Sequence, residues 1–381
     1  MKIRLYCFTA LLLTIVLLYP KQTQAVYDPL SVPNNKIGIH ILFLDEINQA
    51  KDLVNSNGGD WGYVTVPIQA GDKDIKKWQG FMDEAKKLHI IPILRIATEG
   101  DYFKTTTWRK PEDADIVDFA NFLNSLDWPI KNRYVIIFNE VNRADEWEGK
   151  SDPFDYAKLL SYAVTVFKSK SQDFFIISSG MDNGAITDGK NYSEYDYFRL
   201  MNSAVPGIFN QIDGVSSHSY PNPAFSQPPS VNTTKSINSF SYELETIESM
   251  SIKKLPVFIT ETGWDQELFS DKIVSDYFKE AINGAWSDQN IVAITPFLLK
   301  ANAGPFEKFS FTEKDGGKKE VFRMIEGLPK IKGKPELYPD KKVLGTSQVN
   351  KNIPVRDFSD KKENDRGKNL KKIIKWAFFG F

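Results

Sequence analysis

Two glutamates stand at the ends of apolar segments, where a carboxylate can perform acid–base or nucleophilic chemistry. Glu140 directly follows the run 134–139, and Glu261 closes the run 256–261. The hydrophobic pattern of these runs does not account for a carboxylate at either position. Two facing carboxyl groups are the arrangement that cleaves a glycosidic bond, because one protonates the leaving oxygen while the other attacks carbon or activates water. The sequence therefore predicts that Glu140 and Glu261 form a catalytic pair.

Eight apolar, β-rich segments alternate with stretches long enough for a helix, which favours a single (β/α)8 TIM barrel of the α/β class. The predicted strands cover residues 37–42, 62–67, 90–96, 134–139, 174–179, 214–218, 256–261 and 291–297. Residues 74–88 and 114–126 show the 3.6-residue apolar period of amphipathic helices. Because the loops after barrel strands build the site, Glu140 on strand four and Glu261 on strand seven are expected to face each other.

The two ends of the chain differ from this pattern. Residues 1–25 resemble a secretory signal, with Lys2 and Arg4 before an apolar stretch and Ala25 before the expected cleavage point. We expect export to the cell envelope or medium, with a retained N-terminal anchor as the alternative. Residues 26–343 are predicted to form the catalytic domain. Residues 344–381 are predicted to be a linker with a basic amphipathic tail, which either contacts an anionic membrane surface, packs on the barrel or is disordered.

Composition excludes several classes of function. The 48 Lys and Arg residues balance 49 Asp and Glu residues, so the chain as a whole does not favour a nucleic-acid partner. Cys7 is the only cysteine and lies in the signal segment, which excludes thiolate catalysis and disulfides in a mature form. Three widely separated histidines, no phosphate-binding loop and no G-x-S-x-G motif disfavour metal, nucleotide and serine-hydrolase chemistry. We expect no cofactor.

The catalytic pair also lies within a wider resemblance to the clan A glycoside hydrolases, which extends over about residues 36–300. Asn139-Glu140 and Glu261 are similar to the paired glutamates of that clan, and His218-Ser-Tyr220-Pro221 is similar to its strand-six motif. The run around Glu140 looks most like glycoside hydrolase family 39 and its relatives: Asn139-Glu140-Val-Asn142, then Glu146-Trp147-x-Gly149, then Tyr156-Ala157. The resemblance therefore implies a glycosidase.

The resemblance also implies a role for each matching residue. Glu140 would be the general acid/base and Glu261 the nucleophile of a retaining mechanism. Asn139 would hydrogen-bond the 2-hydroxyl of the sugar. Tyr220 would hydrogen-bond Glu261 and keep it charged, with His218 beside it on the same wall or, alternatively, packed in the core.

Three further expectations concern residues around this pair. Trp264, three positions after the nucleophile, would stack on a sugar face; Trp61, Trp108 and Trp147 are candidates for outer subsites. Many clan members carry an arginine near the end of strand two, where this chain has none. Arg95 on strand three is the nearest substitute to steady Glu261. His40 at the end of strand one either lines the pocket floor or packs in the core.

These inferences predict a monomeric retaining hydrolase of β-linked poly- or oligosaccharides. A barrel that binds carbohydrate without cleaving it, and a transglycosylase, are the alternatives. Because two close carboxylates cannot both ionise cheaply, we expect Glu140 to hold a proton while Glu261 is charged. A retaining pair should have its carboxyl groups roughly 5–5.5 Å apart, whereas an inverting pair needs about 6.5–9.5 Å.

Overall fold

Strands and helices alternate along residues 26–99, 106–301 and 304–338, which the computed structural model describes. The strands are β1 (Gly38–His40), β2 (Gly62–Gln69), β3 (Ile90–Ala97), β4 (Arg133–Ile137), β5 (Phe174–Ile177), β6 (Val215–His218), β7 (Val257–Glu261) and β8 (Ile291–Ile294). All eight predicted strands are thus confirmed, with ends that shift by a few residues. The predicted signal segment and the basic tail lie outside the described residues.

A helix follows each strand. The α-helices are α1 (Ile47–Val54), α2 (Ile75–Lys87), α3 (Asp113–Ser125), α4 (Pro153–Lys170), α5 (Glu194–Ala204), α6 (Ser239–Glu248), α7 (Asp271–Asn283) and α8 (Glu320–Gly327). Several begin at a side chain that accepts hydrogen bonds from the free amides of the first turn. Asp74 does so for α2, Asp152 for α4 and Ser270 for α7. No helix among the described residues is both long and apolar enough to span a membrane.

The strands form two parallel sheets. The first has the order β1-β2-β3-β4-β5, and the second has the order β6-β7-β8. Single parallel bridges connect the sheets at both edges, from Ile177 to Gly214 and from Ile37 to Ile294. Every described strand therefore points the same way, and all the carboxyl ends lie on one side.

Side chains alternate between two apolar layers, as expected for strands buried on both faces. One layer packs inside the sheets and includes Tyr63, Ile91, Ile93, Tyr134, Ile136, Phe175, Phe258 and Val292. The other lies between sheets and helices and includes Val64, Leu94, Val135, Ile137, Ile176, Val257 and Ile259. Arg95 continues the inner row of Ile91 and Ile93, which directs a charged group to the carboxyl end of the sheet.

Candidate active site

A cavity of about 490 Å³ opens at the carboxyl ends of the strands. Its lining divides into a charged side and an aromatic side. The charged side is made of Arg95, Arg109, Glu140, Arg143, Asp145, Glu146, Asp182 and Glu261. The aromatic side is made of Tyr220, Phe225, Phe297, Phe306 and Phe309, while Trp108 and Phe138 also line the cavity. The cavity therefore combines convergent carboxylates with an apolar wall, as small-molecule sites commonly do.

A β-bulge in β7 brings Glu261 into this cavity. Phe258 packs in the inner layer and Ile259 in the outer one, so strict alternation would turn Glu261 outward. Ser217 pairs with Ile259 but His218 pairs with Glu261, which leaves Thr260 as an extra residue on β7. Bulges re-aim side chains in this way, and the carboxylate of Glu261 consequently points inward.

Unusual backbone conformations bring Asn139 and Glu140 to the same cavity. Phe138 has φ 67° and Glu140 has φ 35°, both in the left-handed region that non-glycine residues seldom adopt. The amide of Glu140 donates to the carbonyl oxygen of Gly180, 3.0 Å away, which holds this turn against the next strand. Such strain persists where the surrounding structure determines it and is concentrated at functional sites.

The two predicted catalytic carboxyl groups lie close together, with His218 between them. Nδ1 of His218 is 2.9 Å from Oε1 of Glu140 and 3.7 Å from Oε2 of Glu261. One oxygen of each glutamate and one ring nitrogen of His218 all lie within 4.8 Å of one another. This separation suits a retaining pair, because an inverting pair needs about 6.5–9.5 Å to admit a water.

Gly180 makes room for the imidazole of His218. A Cβ atom at position 180 would lie 2.2 Å from Cδ2 and 2.4 Å from Nε2 of His218. Any side chain there would therefore displace the ring. His218 is fully buried, and although burial lowers its pKa, the charge of Glu261 and the contact with Glu140 outweigh burial and raise it. His218 thus contacts Glu140 directly, but it is buried beneath the cavity and is not among the residues that line it.

Side chains from β3, from β1 and from the loop after β6 surround Glu261. A guanidinium nitrogen of Arg95 donates to Oε1, the hydroxyl of Tyr220 donates to Oε2 at 3.1 Å, and Nε2 of His40 lies 3.9 Å from Oε1. Burial raises the pKa of Glu261, but the positive charges of His218 and Arg95 outweigh burial and lower it to about 2. The expected contacts of Arg95 and Tyr220 with Glu261 are therefore present, and this carboxylate is held in its charged form.

Glu140 has different neighbours. Nη1 of Arg143 lies 3.4 Å from its Oε2, and the same nitrogen lies 3.5 Å from Oδ2 of Asp182. Arg143 also pairs with Asp145 at 2.6 Å, and its side chain is 39% exposed, so it is only half-buried. Burial, followed by the charge of Glu140, raises the pKa of Asp182. Arg143 and Asp182 were missed in the sequence because nothing local marks them as site residues.

Asn139 is held between two charged residues. Its Oδ1 accepts from Nη1 of Arg95 at 2.6 Å, and its Nδ2 donates to Oε1 of Glu146 at 3.0 Å. Burial, followed by the charge of Glu140, raises the pKa of Glu146 to about 7. Glu146 belongs to the motif that resembles family 39, yet the sequence offers no reason to give it a role. Asn139 borders the cavity, as expected.

The tryptophan predictions are largely wrong. Trp264 is buried against Tyr277, Phe278 and Trp286 and does not line the cavity, because the chain after Gly263 turns into the layer between sheet and helices. Its indole nitrogen donates to the carbonyl oxygen of Gln227.

Of the outer-subsite candidates, Trp108 lines the cavity, whereas the other two do not. Trp147 is buried against Phe138 and Tyr156, and Trp61 stacks on His89, which precedes β3 at the opposite end of the sheet. Large aromatic residues in loops after strands can pack inward as well as line a pocket, and spacing alone does not distinguish the two.

His40 packs beneath the site instead of lining its floor. It is fully buried, and its ring meets Phe297 edge to face with centroids 5.1 Å apart. Burial, together with the charge of Arg95, lowers its pKa to about 3, so the ring is neutral at physiological pH. The packing interpretation of His40 is the correct one.

One group of three side chains among the described residues is close enough to hold a metal ion. It consists of Glu140, His218 and Glu261. The donor set suits a divalent cation poorly, because the guanidinium of Arg95 already occupies Glu261 and would repel one. The arrangement suits proton transfer and nucleophilic attack better.

Searches by sequence found no matching protein-family model and no matching curated protein. Comparison with solved structures found similar folds. A family 39 glycoside hydrolase from Bacteroides cellulosilyticus matches with TM-score 0.54 and 14% identity, over 79% of this chain and 64% of that chain. A family 39 β-xylosidase from Caulobacter crescentus matches with TM-score 0.56 and 15% identity, over 77% of this chain and 71% of that one.

A β-glucanase from Saccharophagus degradans, solved with cellotetraose, matches with TM-score 0.51 and 13% identity, over 77% of this chain and 86% of that chain. The chain spans less than two thirds of the length of the Bacteroides protein. At these identities the matches show the fold. The resemblance to clan A glycoside hydrolases, family 39 among them, is confirmed at that level.

Proposed function

We propose that this protein is a retaining glycoside hydrolase that cleaves β-linked oligo- or polysaccharides. The observation that carries the proposal is the placement of Glu140 and Glu261, which converge within 4.8 Å in one cavity with His218 between them. The different partners of the two carboxyl groups support different roles. The fold of the structural neighbours, which are named as glycoside hydrolases of family 39, favours a glycosidase.

The proposed reaction has two steps. The charged carboxylate of Glu261 attacks the anomeric carbon while Glu140 transfers its proton to the glycosidic oxygen, so the C–O bond breaks and a glycosyl ester of Glu261 forms. Water then attacks the same carbon and gives its proton to Glu140, which releases the sugar and regenerates the carboxylate of Glu261. Two inversions at one carbon retain its configuration.

The aromatic side of the cavity supports a sugar ring as the group that forms the ester with Glu261. Phe297, Phe306 and Phe309 give the cavity an apolar wall, and flat aromatic rings pack well against the C–H faces of a pyranose. Asn139 shares the guanidinium of Arg95 with Glu261, and we propose that it hydrogen-bonds the 2-hydroxyl of that sugar. The names of the matched β-xylosidase and β-glucanase favour a β-glycan as the substrate class.

We further propose that the two sheets close into one (β/α)8 barrel, which the bridges from Ile37 to Ile294 and from Ile177 to Gly214 support.

Export is proposed from the signal-like pattern of residues 1–25, and N-terminal sequencing of the exported protein should find cleavage after Ala25. The basic segment 366–381 is proposed to contact anionic membranes, and the protein to act as a monomer.

The test is activity on a panel of β-glucans, mannans and xylans, with anomeric configuration followed by NMR. Glu140→Gln and Glu261→Gln should each reduce kcat by several orders of magnitude, whereas Glu148→Gln, an exposed residue of the same loop as Glu140, should not. Azide should rescue Glu140→Ala with retained configuration and Glu261→Ala with inverted configuration.

Each alternative gives its own result. A barrel that only binds sugar would retain oligosaccharides without releasing products in the wild type. A transglycosylase would release longer products when acceptor sugar is added. Near wild-type turnover in Glu140→Gln or Glu261→Gln would show that the residue has been assigned wrongly.

A further inference from the structure

Four side chains form a continuous hydrogen-bonded chain along one wall of the cavity. Glu146 accepts from Nδ2 of Asn139, Oδ1 of Asn139 accepts from Nη1 of Arg95, and the same guanidinium nitrogen donates to Glu261. Glu146 lies six positions after Glu140 and lines the cavity, yet it is neither of the two groups that the proposed reaction uses. The presence of a carboxyl group at position 146, at the end of this series of hydrogen bonds, therefore requires an explanation.

The amide of Asn139 explains why a carboxylate is useful there. An asparagine side chain has two orientations of nearly the same shape, which exchange its oxygen and its NH2 group. Arg95 can bond only the orientation that presents Oδ1, since a guanidinium donates and does not accept. Glu146 bonds the NH2 group in that same orientation, so the reversed amide would place oxygen against carboxylate and NH2 against guanidinium.

We propose that Glu146 is a positioning residue that holds the amide of Asn139 in one orientation and thereby holds Arg95 on the nucleophile Glu261. This role deepens the proposed function and rests on it. Glu146 does so without touching Glu261, through two intervening side chains. Glu146 is half-buried and lines the cavity, so it also borders the space in which substrate would lie.

The electrostatic surroundings fit this role. Burial and the nearby charge of Glu140 raise the pKa of Glu146 to about 7, so a carboxyl group is kept in this position against an electrostatic penalty. A residue that served only to fill space would not require a carboxyl group in this position. In both protonation states one carboxyl oxygen can accept from Asn139, so the contact survives across the neutral range.

The first test is structural and does not depend on activity. Crystal structures of the full-length wild type, Glu146→Gln and Glu146→Leu are compared. Glutamine keeps an acceptor oxygen for Nδ2 of Asn139, so the contact between Asn139 and Arg95 should remain; leucine removes the acceptor, and the Asn139 amide should rotate or move away from Arg95. If Arg95 stays within hydrogen-bond distance of both Asn139 and Glu261 in Glu146→Leu, the proposal is wrong even if activity falls.

The second test is kinetic and uses the best substrate of the panel. Glu146→Leu should lower kcat roughly 10- to 100-fold through misplacement of Arg95, with a smaller change in KM, while Glu146→Gln should stay close to wild type. The acidic limb of the kcat/KM profile should move to higher pH in Glu146→Leu. The reason is that Arg95, one of the positive charges that lower the pKa of Glu261 from 4.5 to about 2, would no longer be held against it. Glu148→Gln serves as the control.

The two proposals fail in different ways. An acidic limb that stays in place in Glu146→Leu overturns the positioning role while leaving the hydrolase intact. If the wild type proves to bind sugar without cleaving it, the proposed function fails, and the crystal structures alone decide whether Glu146 orders Asn139 and Arg95.

Discussion

Replacing Glu243 by glutamine should stabilise the protein, and the gain should increase with pH. Glu243 lies fully buried on α6, where its Oε1 accepts from the hydroxyls of Ser217 at 2.7 Å and Ser239 at 3.0 Å. Its Oε2 finds no hydrogen-bond partner among the described residues. Glu194, also buried, adds a second carboxyl group whose pKa is raised by burial and by the charge of Glu243. The pair is thus a buried site that resists ionisation.

The size of the effect follows from the pKa of Glu243. Burial raises it from 4.5 to about 7, against the lowering effect of the bonds from Ser217 and Ser239. Below the ordinary value, both folded and unfolded chains hold the proton, and stability is unaffected. As pH rises from 4.5 to about 7, the unfolded chain releases its proton first, so stability falls; above that range the loss is complete. A shift of this size corresponds to about 3 kcal/mol.

The assay is urea or thermal unfolding of wild type and Glu243→Gln at about pH 4 and about pH 8. Glutamine retains an oxygen for Ser217 and Ser239 but cannot ionise, so the two proteins should differ little at the lower pH. At the higher pH the variant should gain about 3 kcal/mol, or roughly 5 °C in Tm for a domain of about 300 residues. Glu245→Gln, an exposed change on the same helix, is the matched control.

A difference between wild type and Glu243→Gln that is the same at both pH values would refute the reasoning, because a packing effect does not depend on proton release. A wild type that is more stable than the variant at the higher pH would mean that the charged carboxylate gains more from the two serines than it loses by burial.

Three further outcomes are expected. Tyr220→Phe removes a hydrogen bond to the charged Glu261, which should lower kcat by about 10- to 100-fold; an unchanged kcat would contradict that role. Gly180→Ala would place a Cβ atom 2.2 Å from the ring of His218, so kcat should fall roughly 100-fold, and a crystal structure should show the ring displaced. Trp264→Ala should lower the free energy of unfolding by about 3–5 kcal/mol without raising KM. Phe297→Ala, in contrast, should raise KM. A raised KM in Trp264→Ala would instead indicate that Trp264 contacts the substrate.

The fold can be predicted closely from local sequence patterns. Buried parallel strands are recognised as apolar runs, and amphipathic helices by an apolar period of 3.6 residues. Those signals placed Glu140 and Glu261 at the ends of β4 and β7. The direction of each side chain could not be predicted in the same way. Glu261 faces the cavity because of the bulge at Thr260, and Glu140 because of left-handed backbone at positions 138 and 140. Neither the bulge nor the left-handed backbone can be recognised in the hydrophobic pattern of the sequence.

Contacts between residues far apart in the sequence could not be predicted either. The bonds among Arg95, Asn139 and Glu146 join residues whose separation in sequence does not suggest a network, and Gly180 is required only because His218 approaches from another strand. Trp264 shows the opposite error. Its spacing from Glu261 suggested a sugar platform, yet burial against α7 decides its position.

The surroundings of the two glutamates support the roles proposed for them, independently of any resemblance. A nucleophile must be charged before substrate binds, and Glu261 has a buried cation, Arg95, in direct contact and a pKa lowered to about 2. An acid/base must gain and lose a proton within each turnover. Glu140 contacts His218 and a half-buried Arg143, which lies 3.4 Å away and shares its charge with Asp145 and Asp182. Exchanging the two roles would require Glu261 to take up a proton beside a buried guanidinium, so the structure favours Glu261 as nucleophile and Glu140 as acid/base.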